Sequence, residues 1–243
     1  MIKVIATSDW HMDAVTAGRS RLSDWKDYMT TLRAEIKREK PDVVVCMGDV
    51  FDPGAMSAHA LTSLLIDEAF DLADLAATVV FIAGNHDVVE TSEGWTTMSP
   101  LAAAVRAADM GSRIVVMERP EFQNFGSFSV VGLPYVARAA RGHVSGPDVP
   151  KDHANPLLVF GHMTVPGAVL GNESAEMARG SDLDFPEESV AKWRPALVMN
   201  GHYHKAQVVQ KKGFEIVIPG SPLRLSFGEK NDKQKGYTVA VVD

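Results

Sequence analysis

The chain of 243 residues contains a single cysteine, Cys46, so no internal disulfide can form and a reducing compartment is expected. It also lacks an excess of positive charge, because 24 lysines and arginines are outnumbered by 31 aspartates and glutamates, which gives a formal net charge of −7. Binding of nucleic acid through overall basicity is therefore excluded, although a local basic patch or bound cations could still attract phosphate.

Long apolar segments are missing as well. No uncharged run approaches the roughly 20 residues that a membrane-spanning helix needs. The N-terminus, MIKVIATSDWH, enters a strand pattern at once, without the basic region and apolar stretch of a secretory leader. We therefore predict a cytoplasmic protein without membrane association, and the apolar content of 46% is enough for a full core.

Short runs of β-branched residues predict strands along the whole chain. They lie at residues 4–6, 43–47, 79–83, 114–117, 128–131, 157–160 and 197–199, and around Val208, Ile216 and Val239. Between the first three runs, apolar residues recur every three or four positions from Leu22 to Ile36 and from Leu61 to Leu75, which predicts two helices. This order is typical of a parallel sheet with crossover helices.

From residue 206 onward the segments AQVVQ, KKGFEIVIPG and KGYTVAVVD predict strands joined as antiparallel hairpins, with Gly213 in one turn. Two mixed sheets packed together and flanked by helices would accommodate both halves. We predict one α/β domain over residues 1–243.

Five polar motifs follow predicted strands: SDWH (8–11), GDVFD (48–52), GNHD (84–87), GH (161–162) and GHYH (201–204). Ligands bind beyond the carboxyl ends of strands in open α/β sheets, so these motifs are expected to converge on one site. GNHD and GHYH after strands are stronger signals, whereas an aspartate-x-histidine pair or a lone GH, taken alone, is more often an ordinary loop or a satisfied histidine. The ordered set of five makes that interpretation improbable.

The converging side chains form a set of oxygen and nitrogen ligands: Asp9, His11, Asp49, Asn85, His162, His202 and His204. Such ligands suit manganese, iron or zinc, and seven are too many for one tetrahedral ion. Two ions that share a carboxylate fit better. Two carboxylates neutralise only half the charge of two divalent cations, so the site would attract a phosphate group.

The order of these motifs resembles the calcineurin-like metallophosphoesterase superfamily, and the resemblance extends over the whole chain. TVPGA and PGSPLRLSFGE (219–229) make it most similar to the SbcD-type DNA nucleases. The family fold is a four-layer αββα sandwich. The resemblance implies that Asp9, His11 and His204 bind one metal ion, that Asp49 bridges, and that Asn85, His162 and His202 bind the second.

The implied reaction is hydrolysis of a phosphodiester by a water activated between two ions, with manganese first and iron, zinc or magnesium as alternatives. His86 would lie beside the phosphate and either donate a proton to the leaving oxygen or steady the phosphate, and Asp52 and Asp87 would orient an imidazole or brace a loop. Arg19, Arg21, Lys205 and Arg224 are candidate phosphate or DNA contacts, although a solvated surface charge is the more common role of such residues.

SbcD-type nucleases continue into a DNA-capping domain and helices that bind an ATPase, whereas this sequence ends at Asp243. We expect a DNA substrate, and an SbcC-like ATPase and a second copy of the chain as partners. Two alternatives remain: a phosphodiesterase or phosphatase for small molecules, and a non-catalytic scaffold.

Overall fold

The computed structural model describes residues 1–52, 59–89, 95–136, 147–169, 184–231 and 234–243. Its strands are β1 (Ile2–Thr7), β2 (Val15–Thr16), β3 (Arg19–Ser20), β4 (Val43–Met47), β5 (Thr78–Ile82), β6 (Ile114–Met117), β7 (Glu121–Asn124), β8 (Ser129–Leu133), β9 (Leu157–Gly161), β10 (Leu197–Asn200), β11 (Gln207–Lys211), β12 (Phe214–Ile218) and β13 (Thr238–Val242). Its helices are α1 (Leu22–Glu39), α2 (His59–Leu75), α3 (Ser99–Ala107) and α4 (Glu187–Trp193).

The first sheet has the strand order β13-β1-β4-β5-β6. Strands β1, β4, β5 and β6 run parallel to one another, with α1 and α2 in the crossovers, as the sequence predicts. Every residue of β4 and β5 is buried, because layers cover both faces of these central strands.

The second sheet has the order β11-β12-β10-β9-β8-β7. Strands β8, β9, β10 and β12 are parallel, and the two edges are antiparallel hairpins. The predicted turn between β11 and β12 is confirmed, and Gly213 adopts a φ of 93° there. Positive φ is strained for residues with a Cβ, so glycine suits this tight turn.

The prediction that the last strand continues this hairpin series is wrong. Strand β13 crosses to the first sheet and pairs antiparallel with β1, so that Val242 lies opposite Ile2. The alternating pattern of β13 explains the placement, since Ala240 and Val242 pack into the core between the sheets while Val239 and Val241 are exposed. Without β13, strand β1 would be an unpaired edge.

Three apolar layers hold the fold together and confirm the four-layer αββα sandwich. One lies between the two sheets, where side chains such as Val45 and Phe160 meet. The second packs α1, α2 and α3 on the outer face of the first sheet, and the third packs α4 and neighbouring loops on the second. Among the residues described, no helix is long and apolar enough to span a membrane.

Helix α1 shows why the helical periodicity is a reliable predictor here. Its buried residues, Trp25, Tyr28, Met29, Leu32 and Ile36, form one stripe that faces the first sheet. The helix ends at Lys40, whose left-handed backbone (φ 47°) directs its N–H to the carbonyl of Ile36 at 2.8 Å.

Two phenylalanines provide a matched test of the core between the sheets. Phe160 is fully buried, whereas Phe227 is 79% exposed. We expect Phe160→Ala to lower the free energy of unfolding by about 3–5 kcal/mol, because the truncation leaves a cavity. Phe227→Ala should change it by less than about 0.5 kcal/mol. Equal effects of the two substitutions in urea denaturation would contradict this packing.

Candidate metal centre

The predicted ligands lie at the carboxyl ends of five strands, three from the first sheet and two from the second. Asp9 and His11 follow β1, Asp49 follows β4 and Asn85 follows β5, while His162 follows β9 and the pair His202 and His204 follows β10. The two sheets therefore contribute to one site at the same end of the sandwich, as expected for parallel strands.

Backbone contacts fix the loops after β1 and β4 against each other. The N–H of Asp9 donates to the carbonyl of Gly48, and the N–H of His11 donates to the carbonyl of Asp49, both at 2.9 Å. Four of the eight non-glycine residues with positive φ in the described part of the chain are candidate ligands: Asp9, His11, Asp49 and His202. Such conformations cost about 1–3 kcal/mol each and concentrate at functional sites.

Close backbone approach explains the glycine of GNHD. A Cβ on Gly84 would overlap the side-chain oxygen Oδ1 and the backbone nitrogen of Asp49. Gly48, with a φ of 87°, needs glycine for its conformation as well, and a Cβ there would meet the ring of His162. These two glycines allow Asp49 to sit between three loops.

The first ligand cluster consists of Asp9, His11 and His204, whose ligand atoms lie within 4.8 Å of one another. The Nε2 atoms of the two histidines are 3.2 Å apart. Asp9 is fully buried, and among the residues described neither of its carboxylate oxygens has a hydrogen-bond partner. A buried carboxylate without partners is costly, so this cluster has the character of a cation site.

The second cluster consists of Asp49, His162 and His202, whose ligand atoms also lie within 4.8 Å of one another. Asn85 joins it, because its Oδ1 lies 3.0 Å from His162 Nε2 and 2.9 Å from His202 Nδ1. The other ring nitrogen of His162, Nδ1, donates to the carbonyl of Met47 at 2.6 Å, which leaves Nε2 as the ligand atom.

Asp49 lies between the clusters. Its Oδ2 is 3.3 Å from His162 Nε2 and 3.8 Å from His11 Nε2. Burial alone would raise the pKa of Asp49, but the histidines around it, His162 first, hold the pKa well below its usual value. The buried, ionised carboxylate and the orphaned Asp9 fit two divalent cations, with Asp49 placed where a bridging ligand would be.

His86 stands beside the clusters rather than within either. Its Nδ1 is 3.5 Å from Asp52 Oδ1, which is equally far from His11 Nδ1, so Asp52 faces both rings. Burial disfavours the imidazolium of His86, but Asp49 and Asp52 outweigh burial and raise its pKa to about 9. A third group of ligand atoms within 4.8 Å of one another comes from His11, Asp52 and His86.

Asp87 braces two loops. It is fully buried, and its Oδ1 accepts from the backbone N–H groups of Val50 (3.1 Å) and Phe51 (3.4 Å), while Oδ2 accepts from the N–H of Gly84 (2.9 Å). Burial and the nearby Asp49 raise its pKa to about 6. This carboxylate ties the loop after β4 to the loop after β5.

Two buried residues near the site were not predicted from the sequence. Glu229 Oε1 lies 3.4 Å from His204 Nδ1, and Lys235 donates a hydrogen bond to the other oxygen of the Glu229 carboxylate. Burial would raise the pKa of Glu229, but His204 and Lys235 lower it to about 2. Asn200 ties the loop of His162 to that of His202, because its amide donates to the carbonyls of Met163 and Gly201. Their signals were present in PGSPLRLSFGE and in MNGHYH.

The candidate phosphate contacts occupy different places. Arg21 donates to the carbonyl of Arg224 at 2.6 Å and pairs with Asp24 at 2.5 Å, so the structure brings Arg21 and Arg224 together. Arg19 is exposed on β3, and Lys205 is exposed directly after His204.

The chain is similar in sequence to known proteins. The sequence profile of the family described as Calcineurin-like phosphoesterase matches residues 2–206. The SbcD subunit of the SbcCD nuclease from Bacillus subtilis (strain 168) is 28% identical over 268 residues, and its counterpart from Staphylococcus epidermidis is 24% identical over 257 residues. Each alignment covers 100% of this chain, which spans 66% of the relative's length.

Solved structures share the fold at low identity. A dimetal phosphatase from Danio rerio superposes with a TM-score of 0.57 at 13% identity, and covers 99% of this chain and 92% of its own. The GAP50 anchor of the Plasmodium inner membrane complex has a TM-score of 0.55 at 12% identity, with coverages of 98% and 80%. These similarities establish the fold alone.

Asp9 and Asp87 are both buried, but among the residues described only Asp87 accepts hydrogen bonds, so substitutions of these two aspartates test the cation site. In metal-free protein we expect Asp9→Asn to leave the free energy of unfolding unchanged or higher, because a buried charge without hydrogen bonds is removed. Asp87→Asn should lower it by about 2 kcal/mol or more, because an NH2 group replaces one carboxylate oxygen and cannot accept from the backbone N–H that faces it. Denaturation in EDTA at pH 8 measures both effects.

Metal binding gives the second half of this test. A ligand at about 100 times its Kd stabilises the folded state by about 2.7 kcal/mol. Wild-type protein should gain such an increment with Mn²⁺, and Asp9→Asn should lose most of it. An Asp9→Asn protein that gains as much as wild type would show that Asp9 is not a ligand.

Proposed function

The chain belongs to the calcineurin-like phosphoesterase family, and from that premise we propose that it is a metal-dependent phosphodiesterase that hydrolyses DNA. The observation that carries the proposal is the pair of buried ligand clusters, Asp9–His11–His204 and Asp49–His162–His202, at one end of the sandwich. The names of the nuclease relatives support DNA as the substrate.

We assign Asp9, His11 and His204 to one divalent cation, Asn85, His162 and His202 to a second, and Asp49 to both. When bound, two such ions supply positive charge for the transferring phosphoryl group and lower the pKa of an attacking water. We propose manganese, because the ligands are a mixture of carboxylate, amide and imidazole without sulfur. The protein's own contribution is to hold these seven side chains close together at one end of the sandwich.

His86 is the residue that we propose as the acid. A proton on its Nδ1 is stabilised by Asp52 Oδ1 at 3.5 Å, and we assign the proton on Nε2 to the leaving oxygen. The N–H of His86 also donates to Asp49 Oδ1 at 2.9 Å, so the ring is held beside the carboxylate that lies between the two clusters. A positively charged imidazole at this position also attracts the phosphate before the reaction.

Further assignments depend on the nuclease relatives. We propose that residues 1–243 act as one catalytic domain, that the protein works in DNA repair or replication in the cytoplasm, and that it associates with an SbcC-like ATPase. A homodimer is a further proposal. Size-exclusion chromatography with light scattering, with and without such an ATPase, tests these associations.

The substrate proposal is tested by incubating purified protein and Mn²⁺ with end-labelled single-stranded and double-stranded DNA, alongside bis(p-nitrophenyl) phosphate and cyclic nucleotides. We expect DNA cleavage that EDTA abolishes. Hydrolysis of the small diesters without cleavage of any DNA would instead establish a small-molecule phosphodiesterase. Absence of all hydrolysis by metal-loaded protein would favour the scaffold.

His86→Ala separates metal binding from proton transfer. We expect the rate of DNA cleavage to fall by about 100- to 10,000-fold, the usual contribution of a general acid, while the protein still binds two ions. Cleavage rates on end-labelled DNA and metal content by plasma emission spectrometry measure the two quantities.

His153→Ala is the matched control for this substitution. The ring of His153 lies 3.1 Å from the carbonyl of Asn155 and 2.7 Å from that of Trp193, away from the clusters. This variant should cut DNA at the rate of wild type. A His86→Ala protein as active as its control would remove His86 from the mechanism.

A further inference from the structure

A cavity of about 780 Å³ opens between the β2–β3 region and the segment that follows β12. Its lining includes Arg21, Asp24, Arg224, Phe227 and Lys235. None of these residues is among the metal ligands, so the cavity, here called the Phe227 pocket, is separate from the clusters. Its volume is within the usual range for small-ligand sites.

The charge of the Phe227 pocket favours an anion. Three cationic side chains and one carboxylate line it, although the net charge of the whole chain is −7. Ion pairs with Asp24 and Glu229 hold the side chains of Arg21 and Lys235 in place at the lining. Arg224 is exposed at the rim, where a phosphate group could approach its guanidinium.

The aromatic ring of the pocket is unusually exposed. Phe227 is 79% accessible, the most exposed large apolar side chain after Met1 among the residues described. A single exposed phenylalanine needs no explanation by itself. Next to an arginine and a cavity of this size, however, it matches the combination of aromatic face and cation that binds the bases and phosphates of single-stranded nucleic acids.

Hydrogen bonds link residues of the pocket to the candidate metal centre. Lys235, which lines it, donates to the backbone carbonyl of His204 at 2.9 Å and to Ser221 Oγ at 2.8 Å. Glu229 faces His204 and accepts from the N–H of Leu225 at 3.2 Å, inside the lining segment. A ligand in the pocket would therefore lie within one or two residue contacts of the first ligand cluster.

We propose that the Phe227 pocket binds one unpaired nucleotide of the DNA strand, with its base stacked on Phe227 and its phosphate on Arg224. This inference rests on the proposed DNA phosphodiesterase function and adds a preference to it. A base inside a duplex has both faces covered by its neighbours, so only a single-stranded or frayed end can use the ring. The pocket would thus select unpaired ends for the metal centre.

The test measures binding without cleavage. The probes are fluorescein-labelled oligodeoxythymidylate of about 12 nucleotides and a blunt duplex, and affinity is read by anisotropy in EDTA. We expect Phe227→Ala to weaken binding of the single strand by about 5- to 100-fold and to change duplex binding by less than 2-fold. Phe227→Trp should retain the affinity, and Phe227→Leu should behave like the alanine variant.

Arg224→Gln tests the phosphate contact. Loss of one phosphate contact to a single strand should reduce the slope of log affinity against log salt by about 0.7. Trp95→Ala is the control, because Trp95 is also exposed (54%) but lines a different cavity with Arg106 and Glu118. It should leave both affinities unchanged.

The outcomes separate this inference from the proposed function. Equal losses on single strand and duplex, no loss in Phe227→Ala, or no measurable binding of the thymidylate by wild type would each overturn the pocket assignment. If wild type nevertheless cleaves DNA, the proposed function stands without it. If wild type binds thymidylate through Phe227 but cuts no DNA, the proposed function fails and the pocket assignment stands.

Discussion

The Asp49 carboxylate is the group on which the arrangement of the site depends. Its Oδ1 accepts from the N–H of His86, and its Oδ2 faces His162 across the junction of the two sheets and His11 in the loop after β1. A buried negative charge is tolerated only with compensating partners. Its partners come from three strands and both sheets, so its burial requires that the two sheets meet with their carboxyl ends together.

The loops around Asp49 are strained, and the surrounding contacts explain how the strain persists. Asp9, His11, Asp49 and His202 all have positive φ, a conformation that residues with a Cβ seldom adopt. The backbone bonds to Gly48 and Asp49 and the acceptor role of Asp87 fix these turns from several directions. Contacts that hold the candidate ligands in place reduce the entropy lost when a cation binds.

The sequence predicts most of this architecture because its signals are local. The strands, helices α1 and α2, and the polar motifs at strand ends follow from periodicity and from the position of glycine before a polar residue. The partner of β13 was not predictable in this way, since the choice between β12 and β1 depends on which edge lacks a strand. Strand β7 and helices α3 and α4 are short, so their patterns contain too few repeats.

The candidate ligands could be predicted from local sequence patterns, whereas the residues that support them could not. His202 and His204 are recognisable because residues two apart in extended chain point to the same side. Glu229 is 25 positions from His204 along the chain, and only the return of the chain from β12 brings them together. Lys235, which lines the Phe227 pocket, also contacts the backbone carbonyl of His204. One buried carboxylate, Glu229, therefore faces a candidate metal ligand and also accepts from the backbone of the segment that lines the pocket, so the candidate metal centre and the Phe227 pocket share one structural support.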